Sequence, residues 1–312
     1  MTEMDALSRI LSSTLIEAVP PEVSAFAAQM LGACRPLGVL FYGAGMRSDD
    51  LDALLDFYVI VDDMADWEWR NCVIRLAGQY LPPNVVYVRQ TIDGRLMRAK
   101  VAVMTIDQFT RRAGPASYDS SIWSRFTQPT RLVWVRDTVA ADQILVAVRK
   151  AVLTAAWWAA CLLPGPARPA EIWRHLFSET YRNELRPENA GRAASIIEGR
   201  ADWFEAILAQ SWSQLGFPVR ENDAGGCYMD ISRVRLLKAR RQWRQMRRLG
   251  RWLNAARLIK AAFTFENGAL YLADKIQRHS GLAMRLSPFE ARHPLICLPC
   301  LLWRARSILR RS

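Results

Sequence analysis

The sequence predicts an α+β fold, with strands and helices mixed in the first part of the chain and mostly helices after it. Residues 55–61, LDFYVIV, are rich in β-branched and aromatic side chains, as expected of a buried strand. Residues 84–104 predict a β-hairpin, because Asp93-Gly94 favours a two-residue turn between two strands. From Ala140 to about Gln214 the pattern is mainly helical.

The remaining elements are predicted from local signals along the chain. Helices are expected in the first part at residues 5–19, 22–34 and 63–81, with proline pairs ending the first and the third. Clusters of glycine, proline and serine predict a loop at 113–121. Residues 216–226, GFPVRENDAGG, are expected to form a linker. Three strands beside helices indicate a small catalytic domain before about residue 135.

The net charge of +12 is distributed very unevenly. Residues 225–312 contain 19 Lys and Arg against 4 Asp and Glu, whereas residues 1–224 contain 23 against 26. A strongly basic block that follows a nearly neutral body indicates an anionic partner, either nucleic acid or acidic lipid.

Within the basic block, residues 233–260 contain 11 Lys or Arg and no acidic residue. Apolar side chains recur at helical spacings of three, four and seven, at Leu236, Trp243, Met246, Leu253, Ala256 and Ile259. The mixture of tryptophan and arginine is typical of a helix lying on a membrane surface. Residues 294–312 add a short apolar stretch followed by arginines. Two alternatives stay open, namely packing of the apolar face on the protein itself and binding of nucleic acid.

Cysteine and histidine usage gives little support to metal or redox chemistry. Only Cys297 and Cys300 form a close pair, which alone is weak evidence for zinc binding. The three histidines are far apart in the sequence and form no metal-binding box.

The sequence indicates contact with a membrane surface without crossing it. The apolar stretches at 151–163 and 294–303 are shorter than the roughly 18 residues of a spanning helix. The acidic residues Glu3, Asp5 and Glu17 are unlike an acid-poor transit peptide. We therefore expect a bacterial-type protein bound peripherally to the cytoplasmic side of the inner membrane.

A glycine turn precedes the acidic strand by about a dozen residues. Gly43-Ala44-Gly45 would let backbone N–H groups approach a phosphate, and carboxylates from the following strand would suit Mg²⁺. Asp56 and Asp62 share a strand face but lie about 20 Å apart when extended, so they cannot bind the same ion. Asp56 is the expected ligand, and the second is left open among Asp52, Asp62 and another strand. Asp62 equally suits a solvated strand end.

Basic side chains on the predicted hairpin suit a triphosphate. Arg98 and Lys100 lie on the same face of the return strand and could neutralise the charge of an anionic ligand. An exposed strand face is the alternative interpretation. Arg125 is a candidate phosphate clamp, because a guanidinium group contacts phosphate oxygens in pairs.

Six segments, taken in order, resemble the motifs of one family over residues 40 to about 208. Its YGSG turn corresponds to Tyr42-Gly43-Ala44-Gly45, and its LDFxFxVDD strand corresponds to residues 55–63. Its Trp-His…Asn element corresponds to Trp67-Glu68…Asn71, and its NGRLIKYGV strand corresponds to residues 93–101. Its Gly-Arg…Pro segment corresponds to Ser124-Arg125…Pro129, and its SYSGDxR element corresponds to residues 180–186. This is the mitochondrial translocator assembly and maintenance protein family of CTP:phosphatidate cytidylyltransferases. Ala44 replaces the family's serine and Glu68 its histidine.

The resemblance implies a DNA polymerase β-like nucleotidyltransferase domain that uses Mg²⁺ and makes CDP-diacylglycerol from CTP and phosphatidate. The implied site comprises Asp56, Lys100 and Arg125 as catalytic residues, Tyr42, Gly43, Ala44, Gly45 and Arg98 for the nucleotide, Tyr181, Glu184 and Arg186 for the substrate, and Asp56 and Asp62 for the metal.

Three regions follow from the resemblance and the charge pattern. We expect a nucleotidyltransferase domain at 1–138, a helical domain at 139–218 and a basic amphipathic membrane-associating region at 219–312. An anionic membrane surface would bind 233–260 and 294–312, which makes nucleic acid an unlikely partner. The rival hypotheses are a nucleotidyltransferase acting on RNA and a degenerate, membrane-bound scaffold.

Overall fold

The computed structural model describes residues 4–46, 53–69, 72–183, 190–223 and 225–264, together with Ser287 and Phe289. A five-stranded sheet with the order β3-β4-β2-β1-β5 lies at its centre. Its strands are β1 (Gly38–Tyr42), β2 (Leu55–Val61), β3 (Asn84–Ile92), β4 (Arg95–Thr105) and β5 (Arg131–Val135). β2 and β4 run parallel, and the other neighbouring strands pair antiparallel. The predicted α+β class is confirmed at this level.

Helices surround the sheet and make up most of the chain after it. The helices of the described residues are α1 (Ala6–Leu15), α2 (Pro21–Leu31), α3 (Cys72–Tyr80), α4 (Ile106–Ala113), α5 (Ser121–Phe126), α6 (Thr138–Leu162), α7 (Pro169–Asn183), α8 (Ala190–Ile197), α9 (Ala201–Leu215) and α10 (Arg233–Thr264).

Local chemistry explains the predicted hairpin. Asp93 and Gly94 have φ angles of 48° and 79°, so both turn residues lie in the left-handed region that a two-residue turn of this kind requires. β3 and β4 pair from Asn84 opposite Val103 to Ile92 opposite Arg95. The strand and hairpin predictions at 55–61 and 84–104 are therefore confirmed.

Two predicted segments differ from the structure. In place of a helix from residue 63, Asp63 and Asp66 cap a short 3-10 turn at Met64–Asp66, and α3 begins only at Cys72. The predicted linker at 216–226 contributes to a small hairpin, because β6 (Val219–Glu221) pairs with β7 (Cys227–Met229). The sequence prediction also missed β1 and β5, which flank each other at one side of the sheet.

Both faces of the sheet are buried, which explains the apolar character of β2. On one face, Phe26 of α2 stacks on Phe57 with a ring separation of 5.8 Å. On the other face, Leu40 and Tyr58 belong to a cluster that continues through α6, α7 and α9 to α10. This second apolar core thus includes residues on both sides of positions 138/139 and 218/219.

The helix α6 lies at the centre of this second core. Among the described residues it is the one helix long and apolar enough to span a membrane by length and composition. Its most apolar window has a mean hydropathy of 1.5, but 67% of that window is buried inside the protein. The apolar composition of α6 is accounted for by its contacts with other helices.

The basic helix α10 packs its apolar face on the protein. Ala239, Trp243 and Met246 are buried in the core. The ring of Trp243 lies 5.1 Å from that of Trp158 and 6.3 Å from that of Trp123. This apolar face of 233–260 therefore packs on the protein's own body, which was one of the alternatives left open by the sequence.

Two polar anchors fasten the second half of α10. Arg257 Nη2 and Arg112 Nη1 each lie 2.8 Å from Asp119 Oδ2, so one buried carboxylate joins α10 to α4. Lys260 Nζ donates to the carbonyl oxygens of Leu81 and Pro83, at 2.6 Å each. These contacts tie α10 to the segment that enters β3.

Candidate functional site

A row of polar side chains crosses four strands near one end of the sheet. Tyr42 on β1 pairs with Asp56 on β2, which pairs with Lys100 on β4, which pairs with Tyr87 on β3. Residues paired in register point to the same face of a sheet. Asp56 and Lys100 are half-buried there. We call this row and the cations around it the Asp56 patch.

The glycine turn lies directly against Asp56. Gly43 follows β1 with a φ angle of +89°, a conformation that favours glycine. A Cβ atom on Gly43 would lie 3.0 Å from Asp56 Oδ2, closer than ordinary contact. The chain then enters a short 3-10 turn at Ala44–Met46, where Gly45 packs against Phe41 and Leu55. The absence of a side chain at Gly43 is what lets the backbone approach the carboxylate.

Since the family resemblance implies a CTP site at this turn, we expect Gly43→Ala to weaken binding of CTP about tenfold, because the added methyl group displaces the Asp56 carboxylate. The left-handed backbone should also cost about 1–2 kcal/mol of unfolding free energy. Gly216→Ala is the matched control, since Gly216 has a φ of +72° but no atom within 4 Å of its Cβ position. Calorimetric titration with CTP and chemical denaturation measure the two effects. Equal affinities in both variants would contradict the role assigned to the turn.

Arg125 reaches the same patch from α5. Its Nη1 donates to Tyr58 Oη at 3.0 Å. Its guanidinium carbon lies 5.6 Å from the ring centre of Tyr42 and 5.9 Å from that of Tyr58, within cation–π range. The structure therefore brings together Tyr42, Asp56 and Arg125, which are distant in sequence.

Arginines extend the patch along the β3–β4 hairpin. Arg98 lies two residues before Lys100 on the same face, and its register partner is Arg89. Like charges directly opposite each other destabilise a sheet unless an anion compensates them. Arg98 Nε is buried and donates to no acceptor among the described residues. These features suit an anionic ligand. Arg89 was not among the site residues expected from the sequence.

Asp62 lies far from this patch. It follows the opposite end of β2 and forms an ion pair with Arg136, whose Nη1 lies 2.6 Å from Asp62 Oδ2. The structure thus does not bring Asp62 and Asp56 together. The described residues contain no group of three or more His, Cys, Asp or Glu that could hold a metal. One carboxylate with nucleotide phosphates still suits Mg²⁺, so Asp56 fits that metal.

The other expected site residues either lie outside the sheet or fall outside the described residues. Tyr181 on α7 is half-buried and packs against the large helical core. Glu184, Arg186 and Asp52 lie outside the described residues, and so does Asn71 of the family motif. Only the backbone of Ala44 is described, as part of the turn after Gly43.

A separate groove of about 570 Å³ opens at the opposite end of the sheet. It lies where the parallel strands β2 and β4 end, and it is lined by Asp62, Asp63, Tyr80, Tyr118 and Leu253 among others. Arg112, the partner of Asp119, also lines it. None of the Asp56 patch residues lines this groove, which lies beyond the ends of β2 and β4.

Comparison with known proteins finds little similarity. No protein-family model matches the chain, and no curated protein matches it. Among solved structures, the chain is similar to a nucleotidyltransferase-like protein from Exiguobacterium sibiricum 255-15, with 10% sequence identity over 93% of this chain and 90% of that chain. The TM-score of 0.26 is too low to transfer a function or a residue role from that protein.

Proposed function

We propose that this protein is a Mg²⁺-dependent phosphatidate cytidylyltransferase that acts at a membrane surface. The observation that supports it best is the Asp56 patch, where a glycine turn, one carboxylate and several cations share one end of the sheet. Cations beside a carboxylate are what a metal–triphosphate ligand requires. The choice of CTP and phosphatidate rests on the motif resemblance of residues 40–208.

In this proposal the nucleotide lies between the glycine turn and β4. Backbone N–H groups after Gly43 approach its phosphates, while Arg98 and Lys100 neutralise the β- and γ-phosphates. Asp56 and phosphate oxygens would hold Mg²⁺, which would polarise the α-phosphate and offset charge on the leaving group. Arg125 contacts phosphate oxygens through its planar guanidinium group.

The reaction is an in-line displacement that needs little acid or base help. An oxygen of the phosphate monoester of phosphatidate attacks the α-phosphorus of CTP, and a new phosphoanhydride bond forms. The bond between the α-phosphorus and the bridging oxygen breaks, and pyrophosphate leaves. The attacking oxygen is already anionic at neutral pH, so positioning and charge neutralisation supply the catalysis.

The outward face of α10 supports a role at an anionic membrane. Arg241, Arg244 and Arg248 are exposed along this face. Trp252 is 78% exposed and Leu237 is 57% exposed beside them. Arginines with exposed tryptophan suit contact with acidic lipid headgroups. In this proposal the lipid contact lies on the arginine face, opposite the buried Trp243.

Pyrophosphate release by the purified protein tests the proposal. We expect release with Mg²⁺, CTP and phosphatidate vesicles together, and background release when any one of the three is omitted. Vesicles of phosphatidylglycerol, which are anionic but lack a phosphate monoester, are the matched control and should support binding without release.

Two results would contradict the proposal in different ways. Release that requires RNA and not phosphatidate would show a nucleotidyltransferase with a nucleic-acid acceptor. Vesicle binding without release under any condition would show a scaffold that has the site but not the reaction.

A further inference from the structure

Tyr58 occupies the position in the Asp56 patch where a second metal-binding carboxylate could lie. It lies two residues after Asp56 on the same face of β2, where a second aspartate could hold a metal ion together with Asp56. Its side chain is only 2% exposed and belongs to the core. A phenol supplies no carboxylate ligand there.

Aromatic contacts fix the position of Arg125 beside Tyr58. The rings of Tyr42 and Tyr58 lie 5.3 Å apart, and the Arg125 guanidinium is within 6 Å of both ring centres. Phe126, the next residue, packs on Tyr58 at 5.0 Å and on Tyr42 at 5.8 Å. The hydrogen bond from Arg125 Nη1 to Tyr58 Oη then sets the direction of the guanidinium group.

This arrangement gives the patch a permanent positive charge. A guanidinium group stays protonated at any pH at which the protein is folded. Tyr42, which contacts Arg125, is the direct register partner of Asp56. On the other side of Asp56, Lys100 adds a second cation. Cations from α5 and β4 therefore flank the Asp56 carboxylate.

We propose that Tyr58 is a positioning residue that holds Arg125 as a built-in cation for polyphosphate. The patch then retains some affinity for a triphosphate when no metal ion is bound. Arg125 neutralises negative charge of the phosphates that a second metal ion would otherwise neutralise. Arg125 contacts the phosphates, and Tyr58 acts only through Arg125. The inference rests on the proposed function, since it concerns the same nucleotide site.

Calorimetric titration of the full-length protein with inorganic tripolyphosphate in EDTA tests the inference. The wild-type protein is expected to bind, and Arg125→Ala to bind about 10- to 100-fold more weakly. Arg125→Lys should retain part of the affinity, because it keeps the charge and loses the planar fork. Arg220→Ala is the matched control, since Arg220 is exposed and pairs with Asp230. It should bind as the wild type does.

Tyr58→Phe separates positioning from packing. It keeps the ring in the core and removes the hydroxyl, so we expect binding about three- to tenfold weaker with an unchanged melting temperature. In the Arg125→Ala background the same change should have no further effect, because the hydroxyl acts through Arg125. Absence of wild-type binding in EDTA, or a full Tyr58→Phe effect without Arg125, would overturn the inference.

Tripolyphosphate contains no base and undergoes no transfer, so this test is independent of the reaction. Binding that behaves as expected, combined with no pyrophosphate release, would overturn the proposed reaction and support the inference. Pyrophosphate release by the wild type, combined with unaltered tripolyphosphate binding in Arg125→Ala, would overturn the inference alone.

Discussion

Replacing Asp119 with alanine is expected to lower the free energy of unfolding by about 3–5 kcal/mol, the loss typical of breaking a buried ion pair from one side. The Asp119 side chain is 2% exposed, and its Oδ2 atom accepts from both Arg112 and Arg257. Its Oδ1 atom accepts from the backbone N–H of Ser121 at 2.9 Å. Alanine would leave two largely buried guanidinium groups without their shared counter-charge and would loosen α10.

The same contact makes stability depend on acid pH. Burial raises the pKa of Asp119, but the charge and hydrogen bond of Arg257, the charge of Arg112 and the hydrogen bond from Ser121 outweigh it and hold the pKa at about 2, below the usual 3.8. The folded state therefore binds fewer protons than the unfolded state between these values. The stabilisation is complete above about pH 4 and is lost as the pH falls towards 2. Asp119→Asn should remove this part of the acid dependence.

Urea denaturation at neutral pH and at pH 3 measures both effects. Asp230→Ala is the control, because Asp230 also pairs with an arginine, Arg220, but at the surface. Exposed pairs contribute about 0–1 kcal/mol, so this variant should unfold nearly as the wild type does. Equal losses in the Asp119 and Asp230 variants would contradict the assignment of Asp119 as the anchor of α10.

Asp56→Asn is expected to lower the rate of pyrophosphate release by about a hundredfold or more, with the fold intact. The amide matches the carboxylate in size but lacks the negative charge that holds a divalent cation. The unfolding free energy should change little, since Asp56 lies half-buried at the start of β2. Steady-state assays at saturating CTP and phosphatidate measure the rate.

Asp62→Asn, just after the end of β2, distinguishes a metal site at Asp56 alone from a metal site shared by both acids. Asp62 pairs with Arg136 at the far end of β2, so its amide variant should release pyrophosphate at the wild-type rate. A comparable loss in both variants would restore Asp62 as a ligand and contradict the geometry of the Asp56 patch.

Local signals predicted the parts of the fold that are determined locally. The Asp93-Gly94 turn and the apolar run at 55–61 were sufficient to place β2, β3 and β4 within a residue. β1 and β5 were missed because both are only five residues long and draw their stability from neighbours in the sheet. The helix expected from residue 63 starts late because Asp63 and Asp66 satisfy the backbone of a tight turn instead.

The sequence suggested candidate residues for the site but not their arrangement. Asp56, Lys100 and Arg98 were identified because strand periodicity puts them on definite faces. That Lys100 is the register partner of Asp56 depends on the parallel pairing of β2 with β4, which a sequence pattern does not reveal. The bond between Arg125 and Tyr58 joins residues 67 positions apart, so no local pattern predicted it.

The basic helix shows how one pattern supports opposite interpretations. The spacing of Trp243 and Met246 correctly predicted an amphipathic helix, but the same apolar face suits a membrane or a protein core. In the structure this face packs in the protein core, where Trp123 of α5 and Trp158 of α6 contact Trp243. Contacts so distant in sequence leave no local signal.

The most direct test of the central claim follows the α-phosphate of CTP. The wild-type protein, Mg²⁺ and phosphatidate vesicles are incubated with CTP labelled at the α-phosphate, and the lipid and aqueous phases are then separated. We expect label in a CDP-lipid, in amounts equal to the pyrophosphate released, and loss of that label with Asp56→Asn. Label that stays in the aqueous phase while pyrophosphate is released, or label in the lipid that is indifferent to Asp56, would contradict the central claim.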